Sequence, residues 1–200
     1  MSDEQQSDTS ELDEAEAYRQ EVRAAKRRKG LVIVNTGDGK GKSTAAFGIA
    51  FRARGRGMRV GVLQFLKPDT ANYGEIRAAR AAGIEIEGTG DGWTWTSKDM
   101  EKTAQMARDG WALAQQRIEV EAYEVLILDE FTYPMVYGWL ETSEVVGWLR
   151  DHKPEALHLV ITGRDAPDEL VEYADLVTEM RLIKHPFQDQ GINAQPGIEF

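Results

Sequence analysis

The octapeptide at residues 37–44 constrains the fold of this chain more than any other feature. Two residues separate it from the apolar run at residues 31–34. The octapeptide consists of Gly37, Asp38, Gly39, Lys40, Gly41, Lys42, Ser43 and Thr44. A glycine-rich turn between a strand and a helix can point several backbone N–H groups into one hollow, and the helix N-terminus adds a partial positive charge. Such a hollow suits a polyphosphate. The pattern therefore predicts a strand, a phosphate-binding loop and a helix, in that order.

Two side chains of this loop have predicted roles in binding a nucleotide. Lys42 would reach the phosphates as a point charge, and the Ser43 hydroxyl is placed to bind Mg²⁺ or a similar divalent ion such as Mn²⁺. The strict pattern G-x-x-x-x-G-K-[ST] requires a glycine where this chain has Thr36, so the loop that starts at Gly37 is one residue short. The direction of the triphosphate through the loop therefore stays open. So does the alternative that the glycines only relieve backbone strain at an ordinary turn.

Composition restricts the classes of function. The 200 residues include no cysteine, which removes thiolate nucleophiles, iron–sulfur ligation and Cys-rich zinc sites. The formal charge of −10 argues against a nucleic-acid partner. No apolar stretch approaches the length of about 18 residues that a membrane helix needs, and the N-terminus is polar and acidic. We expect a cytoplasmic protein with neither a membrane nor a nucleic-acid partner.

The chain is predicted to consist of an N-terminal extension, residues 1–29, and one α/β domain, residues 30–200. Residues 1–13 are too polar to order themselves, whereas residues 14–29 are helix-prone. Beyond them, short apolar runs alternate with helical patterns, which predicts a mostly parallel sheet flanked by helices. The predicted strands cover residues 31–35, 59–66, 84–87, 125–128, 157–162 and 176–181. The predicted helices cover residues 42–54, 75–82, 97–122, 143–151 and 168–174.

The apolar run at residues 125–128 ends in two carboxylates, Asp129 and Glu130. In phosphate-loop proteins, a strand next to the loop strand ends in an acidic residue that holds the metal ion opposite the Ser or Thr hydroxyl. Because adjacent strand residues point to opposite faces, we expect only one of the two carboxylates to face the nucleotide. The alternative is that the pair caps a following helix.

Aromatic and basic side chains mark three other segments. Trp93 and Trp95 lie in a glycine-rich connection, where they either anchor the loop to the core or form a platform for a flat ligand. The aromatic stretch at residues 131–140 could wall a pocket above the strand ends or pack a helix onto the sheet. Arg164 could approach phosphates or form a surface ion pair. The three histidines share no metal-ligand spacing, and nothing indicates a Ser/His/Asp triad.

Taken together, these motifs resemble the ATP:corrinoid adenosyltransferases of the cobalamin pathway. The similar segments lie in the family's order at residues 37–44, 61–67, 93–95, 127–133, 160–164, 184–187 and 194–200. The resemblance implies a RecA-like phosphate-loop fold, usually a homodimer, that transfers the 5′-deoxyadenosyl group of ATP to a Co(I) corrinoid and releases triphosphate. It also implies that ATP lies in the loop with reversed polarity.

The resemblance also implies roles for individual residues. Lys42, Lys40 and the metal ion would offset charge on the departing triphosphate, and Ser43 and Glu130, with Asp129 behind Glu130, would bind the metal ion. Co(I) is itself a strong nucleophile, so the protein needs to supply orientation, charge neutralisation and exclusion of water. The family's aromatic loop residues are thought to displace the lower axial ligand of cobalt. They correspond to Trp93 and Trp95, and the electrons would come from a reduced flavoprotein.

Two other classes of function use the same loop. A small-molecule kinase would transfer the γ-phosphoryl group and release ADP. A RecA-like module that hydrolyses ATP, or that ATP regulates, would act without any corrinoid. The products formed from ATP distinguish the three hypotheses.

Overall fold

A computed structural model describes residues 16–22, 24, 28–90, 92 and 100–199. Its centre is one sheet of six parallel strands. The strands are β1 (Val32–Thr36), β2 (Val60–Gln64), β3 (Glu85–Gly88), β4 (Val125–Asp129), β5 (His158–Thr162) and β6 (Leu176–Glu179). Their spatial order is β3-β2-β4-β5-β1-β6, which places β1 between the last two strands of the chain.

Helices cover both faces of this sheet, as an all-parallel sheet requires. They are α1 (Lys42–Gly55), α2 (Gly74–Ala81), α3 (Met100–Glu119), α4 (Thr132–Val136), α5 (Thr142–His152), α6 (Asp168–Tyr173) and α7 (Pro186–Gln190). Side chains of α1 and α2 share one apolar cluster with Ile33 of β1. Side chains of α3, α5 and α6 share the other cluster with Val32 and Val34. The alternation along β1 therefore divides the core into two layers.

The predicted α/β fold, a parallel sheet flanked by helices, is confirmed. Each of the six predicted strands and five predicted helices is present, with ends that differ by a few residues. Residues 16–22 are helical, inside the predicted N-terminal helix, whereas residues 1–13 lie outside the described residues. Two short helices, α4 and α7, were not predicted, because five residues are too few for a helical apolar period to show.

The prediction that the acidic strand lies next to the loop strand is wrong. Strand β4 pairs with β2 and β5, and β5 separates it from β1. Strand β5 therefore lies between the loop strand and the strand that carries the acidic pair. Within the described part of the chain, no helix is long and apolar enough to cross a membrane.

Candidate active site

The phosphate loop leaves β1 at its carboxyl end and packs on the segment after β6. Gly37 and Gly41 have positive φ angles of 91° and 110°, which favour glycine. Gly39 donates its N–H to the Met180 carbonyl at 2.6 Å. A Cβ on Gly39 would lie 2.7 Å from that same oxygen, so a larger residue would push the loop away from its support.

Lys42 begins α1 and turns its side chain back into the loop. Its Nζ donates to the carbonyl oxygens of Gly37 at 2.7 Å and Gly39 at 2.8 Å. Burial lowers the pKa of Lys42, and the Glu130 carboxylate opposes that shift. The ammonium therefore stands inside the hollow that the sequence predicts for phosphate.

Two more cations border the loop, each with an acidic partner. Lys40 Nζ lies 2.6 Å from Glu199 Oε2, close to the C-terminus. Arg164, which follows β5, lies 3.8 Å from Asp38 of the loop. Arg164 therefore forms the exposed ion pair, with a residue of the phosphate loop as its partner, and its approach to phosphates stays a prediction. Thr44 is exposed on the first turn of α1.

Asp129 is fully buried at the end of β4, where the side chains of Gln64, Lys67 and Thr162 donate to it. Gln64 of β2 and Lys67 reach Oδ2 at 2.9 and 3.2 Å. Thr162 of β5 reaches Oδ1 at 2.8 Å. Burial alone would raise the pKa of Asp129, but the Lys67 ammonium and hydrogen bonds, one of them from Ser43, hold it below its ordinary value. Asp129 is therefore an anion with fixed orientation beside the Ser43 hydroxyl.

Glu130 comes directly after the strand and has a φ angle of 62°. This left-handed residue ends the strand alternation, so Glu130 lies close enough to Lys42 and Arg164 for both cations to lower its pKa. Asp129 is held by side chains of the neighbouring strands, whereas Glu130 Oε2 has no such bond. That only one of the two carboxylates faces the nucleotide stays a prediction. Burial and the neighbouring Asp129 nevertheless raise the pKa of Glu130 to about 7.

The same pair does not cap the following helix. The N-cap residue of α4 is Phe131, and no side chain makes a capping hydrogen bond there. Instead, the Glu130 N–H donates to Thr162 Oγ1 at 2.9 Å. The helix-cap alternative is wrong for both carboxylates.

The donor set fits a divalent ion that is held partly by a nucleotide. Glu130 Oε2 is buried and has no hydrogen-bond partner, so it has an acceptor to offer. Among the described residues, no group of three or more acidic or histidine side chains is arranged to hold a metal ion. Mg²⁺ binds through one or two carboxylates together with phosphates and water, and this pair of carboxylates beside a serine hydroxyl meets that need.

The aromatic stretch packs in part against the sheet, which is one of the two alternatives from the sequence, while its role as a pocket wall stays a prediction. Phe131 and Met135 are buried, and Phe131 stacks on Trp111 with 5.2 Å between ring centroids. Tyr137 is exposed and stacks on Tyr133 at 5.7 Å. Trp93 and Trp95 lie outside the described residues, so their predicted role stays a prediction.

Four residues join the site without having been predicted: Gln64, Lys67, Thr162 and Glu199. Gln64 and Thr162 each end a buried strand in a polar side chain. That pattern is visible in the sequence and could have indicated both residues as members of the site. Lys67 and Glu199 carry no such signal, because neither ends a strand, and their partners lie 62 and 159 residues away.

Comparison of the sequence with known proteins gives matches to one family. The family model described as ATP:corrinoid adenosyltransferase BtuR/CobO/CobP matches residues 28–200. A corrinoid adenosyltransferase from Sinorhizobium sp. is 43% identical over 187 residues, which cover 92% of this chain and 87% of that protein. The corrinoid adenosyltransferase of Escherichia coli K12 is 39% identical, with 90% of each chain covered. Corrinoid adenosyltransferase CobA of Salmonella typhimurium is 37% identical, again with 90% of each chain covered.

The family-model match spans the phosphate loop, the acidic pair at the end of β4 and the C-terminal segment that packs on the loop. The resemblance seen in separate sequence motifs therefore extends over nearly the whole chain. The chain belongs to the ATP:corrinoid adenosyltransferase family.

Proposed function

We propose that this protein transfers the 5′-deoxyadenosyl group of ATP to the Co(I) centre of a corrinoid and releases triphosphate. In this displacement the electron pair of Co(I) forms the cobalt–carbon bond at C5′, and the C5′–oxygen bond breaks with its electrons leaving on triphosphate. The observation that carries the proposal is the ring of three cations, Lys40, Lys42 and Arg164, around a loop in a chain of this family. Such a ring stabilises the charge of a departing triphosphate.

Each loop residue has a place in this proposal. Backbone N–H groups of residues 37–44 would face the phosphates, with Lys42 and Lys40 as point charges. Ser43, Asp129 and Glu130 would hold the divalent ion, which neutralises phosphate charge when it is bound. The Asp129 hydrogen bonds fix one carboxylate in advance, so little reorganisation is needed there.

We also propose that the triphosphate runs through the loop in the reversed direction. Support comes from the irregular loop start, where Thr36 ends β1 and its hydroxyl accepts the Ala166 N–H at 3.1 Å. The position at which the strict pattern has glycine is thus committed to packing against the connection after β5. A crystal structure with ATP would test this by showing which phosphate lies nearest Lys42.

Trp93 and Trp95 would contact the corrinoid and favour loss of its lower axial ligand. A reduced flavoprotein in the cytoplasm would supply the electron that converts Co(II) to Co(I). Trp93→Ala and Trp95→Ala should then impair the reaction from Co(II) with a protein reductant more than the reaction from chemically prepared Co(I). Equal losses in the two assays would rule out the axial-ligand role.

One assay tests the reaction itself. Anaerobic protein with ATP, Mg²⁺ and chemically reduced cobalamin should give the visible spectrum of a cobalt–carbon bond and one triphosphate per turnover. Release of ADP or orthophosphate with an unchanged corrinoid would contradict the proposal, and it would favour the kinase or hydrolase alternative. Repeating the assay with Mn²⁺ would compare the two candidate metal ions.

We further propose that the protein is a homodimer that buries the C-terminal segment. No residue from 181 to 199 is buried, although the segment includes Ile183, Phe187 and Ile198, which are 80%, 60% and 81% exposed. The adjacent strand β6 is a sheet edge. Apolar residues grouped on a surface mark an interaction site.

Sedimentation at micromolar concentration tests this interface. Ile183→Asp combined with Ile198→Asp should give a monomer, since each charge would be buried on association. Val120→Asp is the matched control, because Val120 is also exposed but lies at the end of α3. A dimer that survives the double substitution would exclude the C-terminal segment as the interface.

A further inference from the structure

We infer that Lys67 is a positioning residue that joins the metal-binding end of β4 to the glycine segment, defined as residues 88–90 and 92. The inference rests on the proposed function, because it takes Asp129 as a metal ligand. It adds a residue to which neither the family resemblance nor the comparisons give a role.

The side chain of Lys67 reaches into the acidic end of the site. Its Nζ lies 3.2 Å from Asp129 Oδ2 and 3.9 Å from Glu75 Oε1, and 5.9 Å from the centre of the Tyr73 ring. The other side chains that bond to Asp129 are neutral, so Lys67 supplies the positive charge that balances this buried carboxylate. Without it, Asp129 would be a buried anion that has lost its ion-pair partner, which is costly.

The backbone around Lys67 holds the glycine segment. The carbonyl oxygens of Lys67 and Leu66 accept the N–H groups of Gly90 at 2.9 Å and Gly92 at 3.0 Å. Pro68 and Thr89 form a β-bridge beside these bonds. One short stretch of chain thus contacts the metal-binding end of β4 through a side chain and the glycine segment through its backbone.

Close packing makes this connection stiff. A Cβ on Gly88 would lie 2.6 Å from the Lys67 carbonyl oxygen, and a Cβ on Gly90 would fall on the backbone of Leu66. Leu66 itself has a φ angle of 66°, a conformation that a bulky residue adopts only where its surroundings fix it. A shift of Lys67 therefore cannot be absorbed locally, and it moves the glycine segment, which leads in sequence to Trp93.

Two consequences follow for the role of Lys67. Loss of the ammonium should disturb Asp129, and a change in such an outer partner typically alters metal affinity or activity by about 10–100-fold. The same loss should loosen the hydrogen bonds at Thr89, Gly90 and Gly92. A residue that only stabilised the fold would not change both the affinity for the metal ion and the hydrogen bonds of the glycine segment.

The test compares Lys67→Met and Lys67→Arg with Lys153→Met. Lys153 is the matched control, because it is also a partly buried lysine, but it bonds to the Gly30 and Pro154 carbonyls, and Gly30 lies before β1, at the opposite end of that strand from the phosphate loop. Hydrogen–deuterium exchange on the ligand-free protein follows the amides of residues 89, 90 and 92. Titration with Mg²⁺ at fixed ATP gives the concentration for half-maximal nucleotide binding.

In Lys67→Met we expect at least tenfold faster exchange at those three amides and a Mg²⁺ midpoint raised about 10–100-fold. Lys67→Arg should stay within about threefold of the wild type in both measurements, because the charge is kept, and Lys153→Met should leave both unchanged. The inference is overturned if either property of Lys67→Met matches the wild type, or if Lys153→Met reproduces both changes. Should Lys67→Met fail to fold, Lys67→Gln takes its place under the same criteria.

The exchange measurement needs no corrinoid and no turnover. If the wild type forms no cobalt–carbon bond, the proposed reaction fails while the link from Lys67 to the glycine segment is still measured. If the wild type is active and the exchange at these amides does not depend on Lys67, only the inference about Lys67 fails.

Discussion

Glu130 combines a left-handed backbone, a buried unpaired oxygen and a pKa raised from 4.5 to about 7 by burial and by Asp129. A carboxyl group whose pKa is higher in the folded protein stabilises the fold below its unfolded pKa. That contribution is lost as the pH rises through the folded pKa. In the metal-free protein, stability should therefore fall between about pH 5 and pH 8 because of this residue.

Glu130→Gln should remove that fall. With a chelator present, we expect the wild type and the variant to have similar free energies of unfolding at pH 5. At pH 8 the variant should be more stable by roughly 1–3 kcal/mol, since each pKa unit corresponds to about 1.4 kcal/mol. Urea unfolding at both pH values measures the difference. Parallel pH profiles for the two proteins would contradict the prediction.

Gly39 allows a second test at the scale of one residue. Gly39→Ala adds a methyl group 2.7 Å from the Met180 carbonyl oxygen, so the loop or its support must shift, at a cost of about 1–3 kcal/mol. Gly48→Ala in α1 is the control, because nothing lies within 4 Å of its added Cβ, and it should stabilise the helix by roughly 0.5–1 kcal/mol. The thermal unfolding temperature and the affinity for ATP should both fall in Gly39→Ala, and neither should fall in Gly48→Ala.

At the scale of elements, β5 lies between β4 and β1, where the sequence predicted no strand, and its last residue contacts the acidic pair. Thr162 donates to Asp129 and accepts from the Glu130 N–H, so one hydroxyl orients the Asp129 carboxylate and fixes the backbone of Glu130. Thr162→Val keeps the shape and leaves two buried polar groups unpaired, which should cost about 1–3 kcal/mol for each group. Thr178→Val on β6 is exposed and should change stability by less than about 0.5 kcal/mol. Equal unfolding midpoints for the two variants would refute this role.

The sequence predicted the elements better than their arrangement. Apolar runs such as Val125–Leu128 identify buried strands, and the Gly-Lys-Ser motif identifies the strand that carries the loop, because both signals are local. Strand order is a property of contacts between distant segments, so nothing near Asp129 indicated that β5 would lie between β4 and β1. For the same reason Lys67 was missed, since its ion pair with Asp129 forms only after β2 and β4 have paired.

At the scale of the whole molecule, the C-terminus reaches back to the phosphate loop. Glu199 lies 2.6 Å from Lys40, a cation that the proposed function assigns to phosphate. Bound phosphate and this carboxylate would compete for the same ammonium. Glu199→Gln should therefore tighten ATP binding about two- to fivefold, a modest effect because exposed ion pairs contribute less than about 1 kcal/mol. Calorimetric titration measures it, with the exposed Glu169→Gln on α6 as control, and weaker binding in Glu199→Gln would show that the contact assists the nucleotide.

The position of β1 between β5 and β6 has a consequence for how the chain is made. A ribosome produces the loop strand first, yet both of its neighbours in the sheet come from residues 158–179, near the end of synthesis. Until then β1 has no partner on either side, and its unpaired backbone N–H and C=O groups are open to wrong pairing. The nucleotide-binding loop, although encoded early, can be completed only when almost the whole protein has emerged, so a chain cut short before β6 should be recognised by the cell as unfolded.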